Sequence, residues 1–331
     1  VKGAYWDAEI KRAQVLGLPG FPVFTRKAAT DVSYIAAARK LLASPHLYGQ
    51  FATHNAHSAA AVLHLAEEAG RGTDSFEFQR LHGMGERLHE VLRTRHGTRT
   101  RIYAPVGAHK DLLAYLVRRL LENGANGSFV YQIADEHIPA AVVAEDPIGK
   151  LLGLDSLPNP AIPAPADIFA PRRNSAGLDL TDPLALSEAA AARDRFRTHQ
   201  WSGPVSADTG EGGELVTILN PANAIDRVGT VRPTTPDQLA NALDAAERSD
   251  WPSVPVATRA DLLRRVADLY EANRAELLAL LTREAGKTWA DAVAEVREAV
   301  DFLRYYAAEA ETGALGAPRG PFAAISPWNF P

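Results

Sequence analysis

Four short apolar runs, each followed by a stretch of helical periodicity, fill the first 130 residues and set the strongest limit on the fold. The strand candidates are Val1–Tyr5, Gln50–Thr53, Glu77–Leu81 and Arg101–Val106. The helical periods lie around Val32–Leu42, Ala56–Ala69, Gly85–Arg95 and Asp111–Glu122. Strands separated by helices can pair only in parallel, because the helix carries the chain back across the sheet. Four such units cannot close an eight-stranded barrel, so a barrel requires more chain upstream. An open doubly wound sheet is the alternative if Val1 is a true N-terminus.

The rest of the chain reads differently. Prolines 147, 158, 160, 163, 165 and 171 crowd into one span, and 203–213 is rich in glycine. The pattern predicts a Pro/Gly-rich linker over 146–213, between a first domain over 1–145 and a second over 214–331. In the second, Leu215–Asn220 and Val228–Arg232 are expected to pair as a hairpin. Thr235-Pro236-Asp237 places a capping residue before proline at the first helical position. Amphipathic helices are expected at Pro236–Ser249, Thr258–Arg283 and Trp289–Ala310, then a buried strand over Pro321–Ser326. A chain that stops at Pro331, on that strand's exit turn, has the look of an internal fragment.

Composition narrows the chemistry. A net charge of -5 gives no reason to expect a nucleic-acid partner. No apolar run approaches the roughly 20 residues that span a bilayer. The chain has no cysteine, which removes disulfides, thiolate metal sites and any cysteine nucleophile.

The helix over Asp111–Asn123 is the most informative local feature. At about 100° per residue, Tyr115, Arg118, Arg119 and Glu122 share one arc. Leu113, Leu116, Val117, Leu120 and Leu121 fall on the opposite arc, which is expected to face the core. Two adjacent guanidiniums can fork a carboxylate while a glutamate one turn on takes an ammonium, so this face could grip a small amino acid. A solvated face laced with i,i+4 ion pairs would give the same pattern. His54 and His57 stand three apart with no third metal ligand in view, so hydrogen-bonded histidines are expected and no metal site. There is no G-x-G-x-x-G, and Ala285-Gly286-Lys287-Thr288 lacks the glycine five residues earlier that a phosphate loop needs. A helix–helix turn is the better reading there. Arg101 and Lys110 read as surface charges.

Six segments in order, VKGAYWDAEIKRAQ at 1–14, TRK at 25–27, FATHNAH at 51–57, LHGMGE at 81–86, RIYAPVG at 101–107 and YLVRRLLENGAN at 115–126, resemble the proline dehydrogenase domain of the bifunctional proline utilization A flavoenzymes. ILNPAN at 218–223, REAGKT at 283–288, EVREAVDFLRYYA at 295–307 and ISPWNFP at 325–331 resemble the opening of an aldehyde dehydrogenase of the glutamate-semialdehyde type. The implied α/β fold is the C-terminal half of a (βα)8 barrel followed by the N-terminal part of an aldehyde dehydrogenase domain.

The resemblance implies site residues. Tyr103, Tyr115, Arg118, Arg119 and Glu122 would line the proline pocket, with the arginines on the carboxylate. Lys2, Gly3, Ala4, Trp6, Thr25, Lys27, Thr53, His54 and Asn55 would contact FAD. Ile325, Ser326, Pro327 and Trp328 would run along NAD, and Asn329 would donate to the oxyanion formed when a thiol attacks the aldehyde. The family's catalytic cysteine and glutamate lie downstream of residue 331, and its pocket Lys, Asp and flavin-side Arg lie upstream of Val1. The implied chemistry is oxidation of L-proline to pyrroline-5-carboxylate by hydride transfer to flavin. Hydrolysis to glutamate semialdehyde and NAD-dependent oxidation to L-glutamate follow. Membrane quinone as electron acceptor, a homo-oligomeric full-length protein and a cytoplasmic location with peripheral contact at the inner face of the membrane are also implied. The 331-residue chain alone is expected to be inactive. Two other readings fit the residues: a single-function flavin barrel acting on another amino acid, and a non-catalytic remnant or assembly module.

Overall fold

A computed structural model describes residues 6–124, 137–203, 213–313 and 316–327, except for the side chains of 120–124. The expected first strand, Val1–Tyr5, lies outside them. The chain divides into two compact units, 1–9 with 22–162, and 10–21 with 163–331. Helix α1 is Trp6–Leu16.

In the first unit, α2 (Lys27–Ala43) precedes β1 (Gly49–Ala52), α3 (Ala56–Glu68), β2 (Phe76–Leu81), α4 (Glu86–His96), β3 (Arg99–Tyr103) and α5 (His109–Gly124). The three strands form a parallel sheet in the order β1-β2-β3, as the βα periodicity requires. The register sets Gln50 beside Glu77, Gln79 beside Arg101 and Leu81 beside Tyr103. One sheet face is apolar. Phe51, Phe76 and Phe78 are fully buried there with Leu42, Val62, Leu65 and Leu92 from the helices. The phenyl rings meet edge to face, Phe76 and Phe78 at 5.8 Å between centroids. Burial of each such side chain stabilises the fold by roughly 1.5–3 kcal/mol, which pins the helices to this face.

The segment read as a linker is not devoid of structure. It carries α6 (Ala140–Val143) just before it, then α7 (Pro147–Leu152) and α8 (Pro183–Asp194). Asp146 and Asp182 cap α7 and α8 with their carboxylates, and proline follows each at the first helical turn. Helix α7 packs on α2.

In the second unit, β5 (Val216–Asn220) and β6 (Asn223–Val231) form the expected hairpin, longer than the sequence pattern indicates. Strand β4 (Trp201–Gly203) adds in parallel to β6. Thr235 and Gln238 close a reciprocal capping box on α9 (Pro236–Glu247). The single helix expected over Thr258–Arg283 is two, α10 (Val256–Ala272) and α11 (Arg274–Arg283), because the backbone leaves helical geometry at Asn273. Gly286, at φ 65, turns the chain into α12 (Trp289–Thr312), which Thr288 caps, so 285–288 is a helix–helix turn. Leu278 of α11 and Ala292, Val293 and Val296 of α12 form the local core.

The buried strand expected over Pro321–Ser326 does not form. The segment is irregular and its apolar side chains are exposed, Ile325 by 90%. A strand is stable only when its backbone groups find a partner, and none of the described strands pairs with it.

Within this unit the stretch Asn174–Gly177 is held tightly. The Ser175 amide and hydroxyl both donate to Asp301, at 2.8 and 2.7 Å. Arg297 donates to the Ser175 hydroxyl and to the Val15 carbonyl. The Gly177 amide donates to the Gly17 carbonyl at 2.7 Å, and a Cβ on Gly177 would stand 1.6 Å from the Leu16 carbonyl oxygen. No helix of the described residues is long and apolar enough to cross a membrane.

Candidate functional site

Parallel α/β folds place ligands at the carboxyl ends of their strands, and the exits of β1 and β3 carry four of the described candidates, Thr53, His54, Asn55 and Tyr103. At the β1 exit, Asn55 caps α3 by accepting from the amides of His57 and Ser58. Its own amide donates to the Thr53 hydroxyl at 3.0 Å. His54 Nε2 accepts from the Leu81 amide at 3.2 Å, tying the β1 turn to the end of β2. Since that nitrogen accepts, the neutral ring carries its proton on Nδ1. Burial pushes the His54 pKa down to about 4, and the nearby charges of His89, Arg80 and Arg119 add to the effect. The imidazole is therefore neutral at neutral pH.

The opposite side of the turn is held by His89 of α4. Its Nε2 lies 3.0 Å from the Thr53 carbonyl, which can only accept, so Nε2 bears the proton. Burial also lowers the His89 pKa. Gly85, at φ 63, lets the loop close over His54. A Cβ there would stand 2.8 Å from the imidazole.

On α5, Arg118 is exposed while Arg119 and Tyr115 are half-buried. The Arg119 guanidinium lies 5.3 Å above the Tyr115 ring. The Arg119 charge is the smallest of the influences that lower the His54 pKa. Glu122 lies in α5, but its side chain is outside the described residues. The apolar arc expected in the core is exposed at its described positions, and the side chains of Leu120 and Leu121 lie outside the described residues. Leu113 is 54% exposed, and Leu116 and Val117 are exposed as well. Amphipathic patterning states only which face is apolar; burial requires a partner element, and none of the described elements covers this one.

Other candidates are already engaged. The Thr25 hydroxyl accepts from the Asn159 amide at 2.9 Å, and Lys27 pairs with Asp31 at 2.6 Å. Trp6 donates its indole N–H to the Phe24 carbonyl at 2.7 Å. Tyr103 ends β3 with its side chain exposed. Lys2, Gly3, Ala4, Trp328 and Asn329 lie outside the described residues. Ile325, Ser326 and Pro327 are exposed on an irregular segment.

One cluster escaped the sequence reading. On the sheet face opposite the phenylalanines, Glu77 is only 3% exposed. It accepts from Gln50 at 3.2 Å, from Gln79 at 2.8 Å and from Arg101 at 2.6 and 2.9 Å. Arg101 is therefore not an isolated surface charge, since it neutralises a buried carboxylate. The Arg101 hydrogen bonds hold Glu77 below its ordinary carboxylate range. The available signal was alternation: in Phe76-Glu77-Phe78-Gln79 the aromatics take one face and the polar residues the other.

The neutral His54 turn and the exposed Tyr103 stand at the carboxyl ends of the strands that carry this polar face. Residues 1–132 match the proline dehydrogenase family and residues 208–331 the aldehyde dehydrogenase family. The whole chain is 48% identical to the bifunctional protein PutA of Escherichia coli strain K12, of which it covers 26%. The chain belongs to the proline utilization A family.

A solved proline utilization A structure from Bradyrhizobium japonicum matches 100% of this chain and 32% of its own, at 44% identity and a TM-score of 0.81. A 1-pyrroline-5-carboxylate dehydrogenase of Anoxybacillus flavithermus is 35% identical over 36% of the chain, covering 26% of that enzyme. The chain thus spans about a quarter of the length of the curated proline utilization A relatives it matches. Its mixed α/β fold is a proline dehydrogenase part followed by the opening part of an aldehyde dehydrogenase domain. Membership of the two families implies use of flavin and NAD.

Proposed function

We propose that the protein containing this chain oxidises L-proline with FAD to pyrroline-5-carboxylate, and then oxidises glutamate semialdehyde with NAD to L-glutamate. The observation that supports the first step is the stacking of the Arg119 guanidinium 5.3 Å over the Tyr115 ring, on the helix that follows β3. Arg118 and Arg119 would fork the proline carboxylate, Glu122 would take the ammonium, and Tyr103 and Tyr115 would wall the ring. Bound FAD would supply the two-electron acceptor for oxidation of the proline ring. Thr53, His54 and Asn55 would hold it at the β1 exit, with Trp6, Lys2, Gly3 and Ala4 on the preceding segment. Thr25 and Lys27 would reach its tail by exchanging their present partners. A neutral His54 suits this role, since its Nδ1–H remains available as a donor.

For the second step, Asn329 would present its amide to the developing oxyanion, and Ile325, Ser326, Pro327 and Trp328 would border NAD. Residues 1–145, 146–213 and 214–331 would serve as the proline dehydrogenase part, the connecting segment and the aldehyde dehydrogenase part. The full-length protein would be a cytoplasmic homo-oligomer that meets membrane quinone at the inner face of the membrane. The deciding experiment uses purified full-length protein with proline, a soluble quinone and NAD. Quinone reduction together with NADH formation supports the proposal, and their absence with a correctly folded, flavin-loaded protein refutes it.

A further inference from the structure

The Gln50–Glu77–Gln79–Arg101 cluster is used by neither step above. It occupies the sheet face that the helices leave open. Gln79 donates one of its two amide N–H groups to Glu77. Tyr103, two residues beyond Arg101, stands on the same face of β3, because side chains alternate along a strand. A fixed carboxylate and a fixed guanidinium therefore lie directly below the rim of the candidate site, joined by two short hydrogen bonds.

We infer that Glu77 and Arg101 are a positioning pair that balances charge beneath the bound flavin and so sets its two-electron reduction potential. The inference rests on the flavin reading proposed above. Its physical basis is Coulombic. A net positive charge near an electron acceptor favours the electron-rich state, a net negative charge opposes it, and a tight ion pair does neither strongly. Glu77 is buried while the Arg101 side chain is 62% exposed, so an unbalanced carboxylate is screened less by water than an unbalanced guanidinium. The hydrogen bonds that keep Glu77 ionised are consistent with a permanent rather than a transient pair.

The experiment uses the full-length holoprotein and measures the flavin midpoint potential by dye equilibration, with FAD content as a control. Glu77→Gln keeps the shape and leaves Arg101 unbalanced, so the potential should rise. Arg101→Met leaves the carboxylate unbalanced, so the potential should fall. Glu77→Gln/Arg101→Met and Arg101→Lys should both lie near the parent. A purely structural role predicts lower thermal stability in both single variants with an unchanged potential, and that result overturns the inference. So do shifts of the same sign in both. If Arg101→Met loses flavin, the sign of the Glu77→Gln shift decides by itself. A parent protein that binds no flavin overturns the underlying reading instead, whereas a flavin-loaded parent that oxidises proline leaves that reading standing whatever the variants do.

Discussion

The guanidinium of Arg119 lies 5.3 Å over the ring of Tyr115, one helical turn earlier on α5. Stacking of this kind holds a planar cation in a fixed plane with its N–H edges directed outward. That is the geometry a bidentate carboxylate requires. In the full-length protein, Arg118→Met and Arg119→Met should each remove charge-assisted hydrogen bonds worth roughly 1.5–3 kcal/mol. Proline KM should then rise by about one to two orders of magnitude, with FAD content near normal. Lys should rescue only in part, since an ammonium cannot fork. Steady-state kinetics within twofold of the parent for both variants would remove the carboxylate-gripping role.

His54 makes stability depend on pH. Its pKa falls from 6.5 in the unfolded chain to about 4 in the fold, so the unfolded state binds more protons between those values. The stability is fully present above pH 6.5 and is lost as pH falls toward 4. His89, whose pKa is also lowered, acts in the same direction. Replacing His54 by Gln keeps an acceptor for the Leu81 amide and removes one titrating group. Urea melts across this range should show a shallower decline for His54→Gln than for the parent. Equal slopes would count against a neutral, buried His54.

Gly177 tests the tight segment of the second unit. A methyl group there would meet the Leu16 carbonyl oxygen at 1.6 Å, and backbone cannot swing aside as a side chain can. Gly177→Ala should cost at least the upper end of the usual 1–3 kcal/mol, or about 3 kcal/mol, for overpacking. Gly20→Ala, with nothing within 4 Å of the added carbon, should be close to neutral. Chemical denaturation of the two variants beside the parent measures the difference.

The 331-residue chain should produce no NADH from glutamate semialdehyde, because it contains no cysteine to form the thiohemiacetal. A spectrophotometric assay of the purified chain checks this directly.

Local rules carried much of the fold. The βα alternation gave the parallel sheet, and Thr235-Pro236 marked a helix start at which capping is observed. The break at Asn273 was not legible, because Leu, Ala and Arg on both sides all favour helix and the interruption lies in backbone geometry. Exposure of Leu113 and Leu116 and the missing strand at 321–326 share another cause. Periodicity records what a segment could bury and is silent on whether a partner is present. Helical spacing put Tyr115 and Arg119 on one arc, and their side chains do stack. Glu77 and Arg101 were missed because they lie 24 residues apart in sequence and meet only through strand register.

The bond from Arg297 to the carbonyl of Val15 spans 282 residues, and Asp301 and Ser175 complete the same clamp. As the ribosome releases the chain, Val15 emerges 282 residues before its donor. Loops of that length are slow to close, and the surfaces awaiting them stay exposed meanwhile. The second unit therefore cannot complete this clamp until that whole stretch has followed. The last turn of α1 is among the surfaces that a chaperone would have most time to meet.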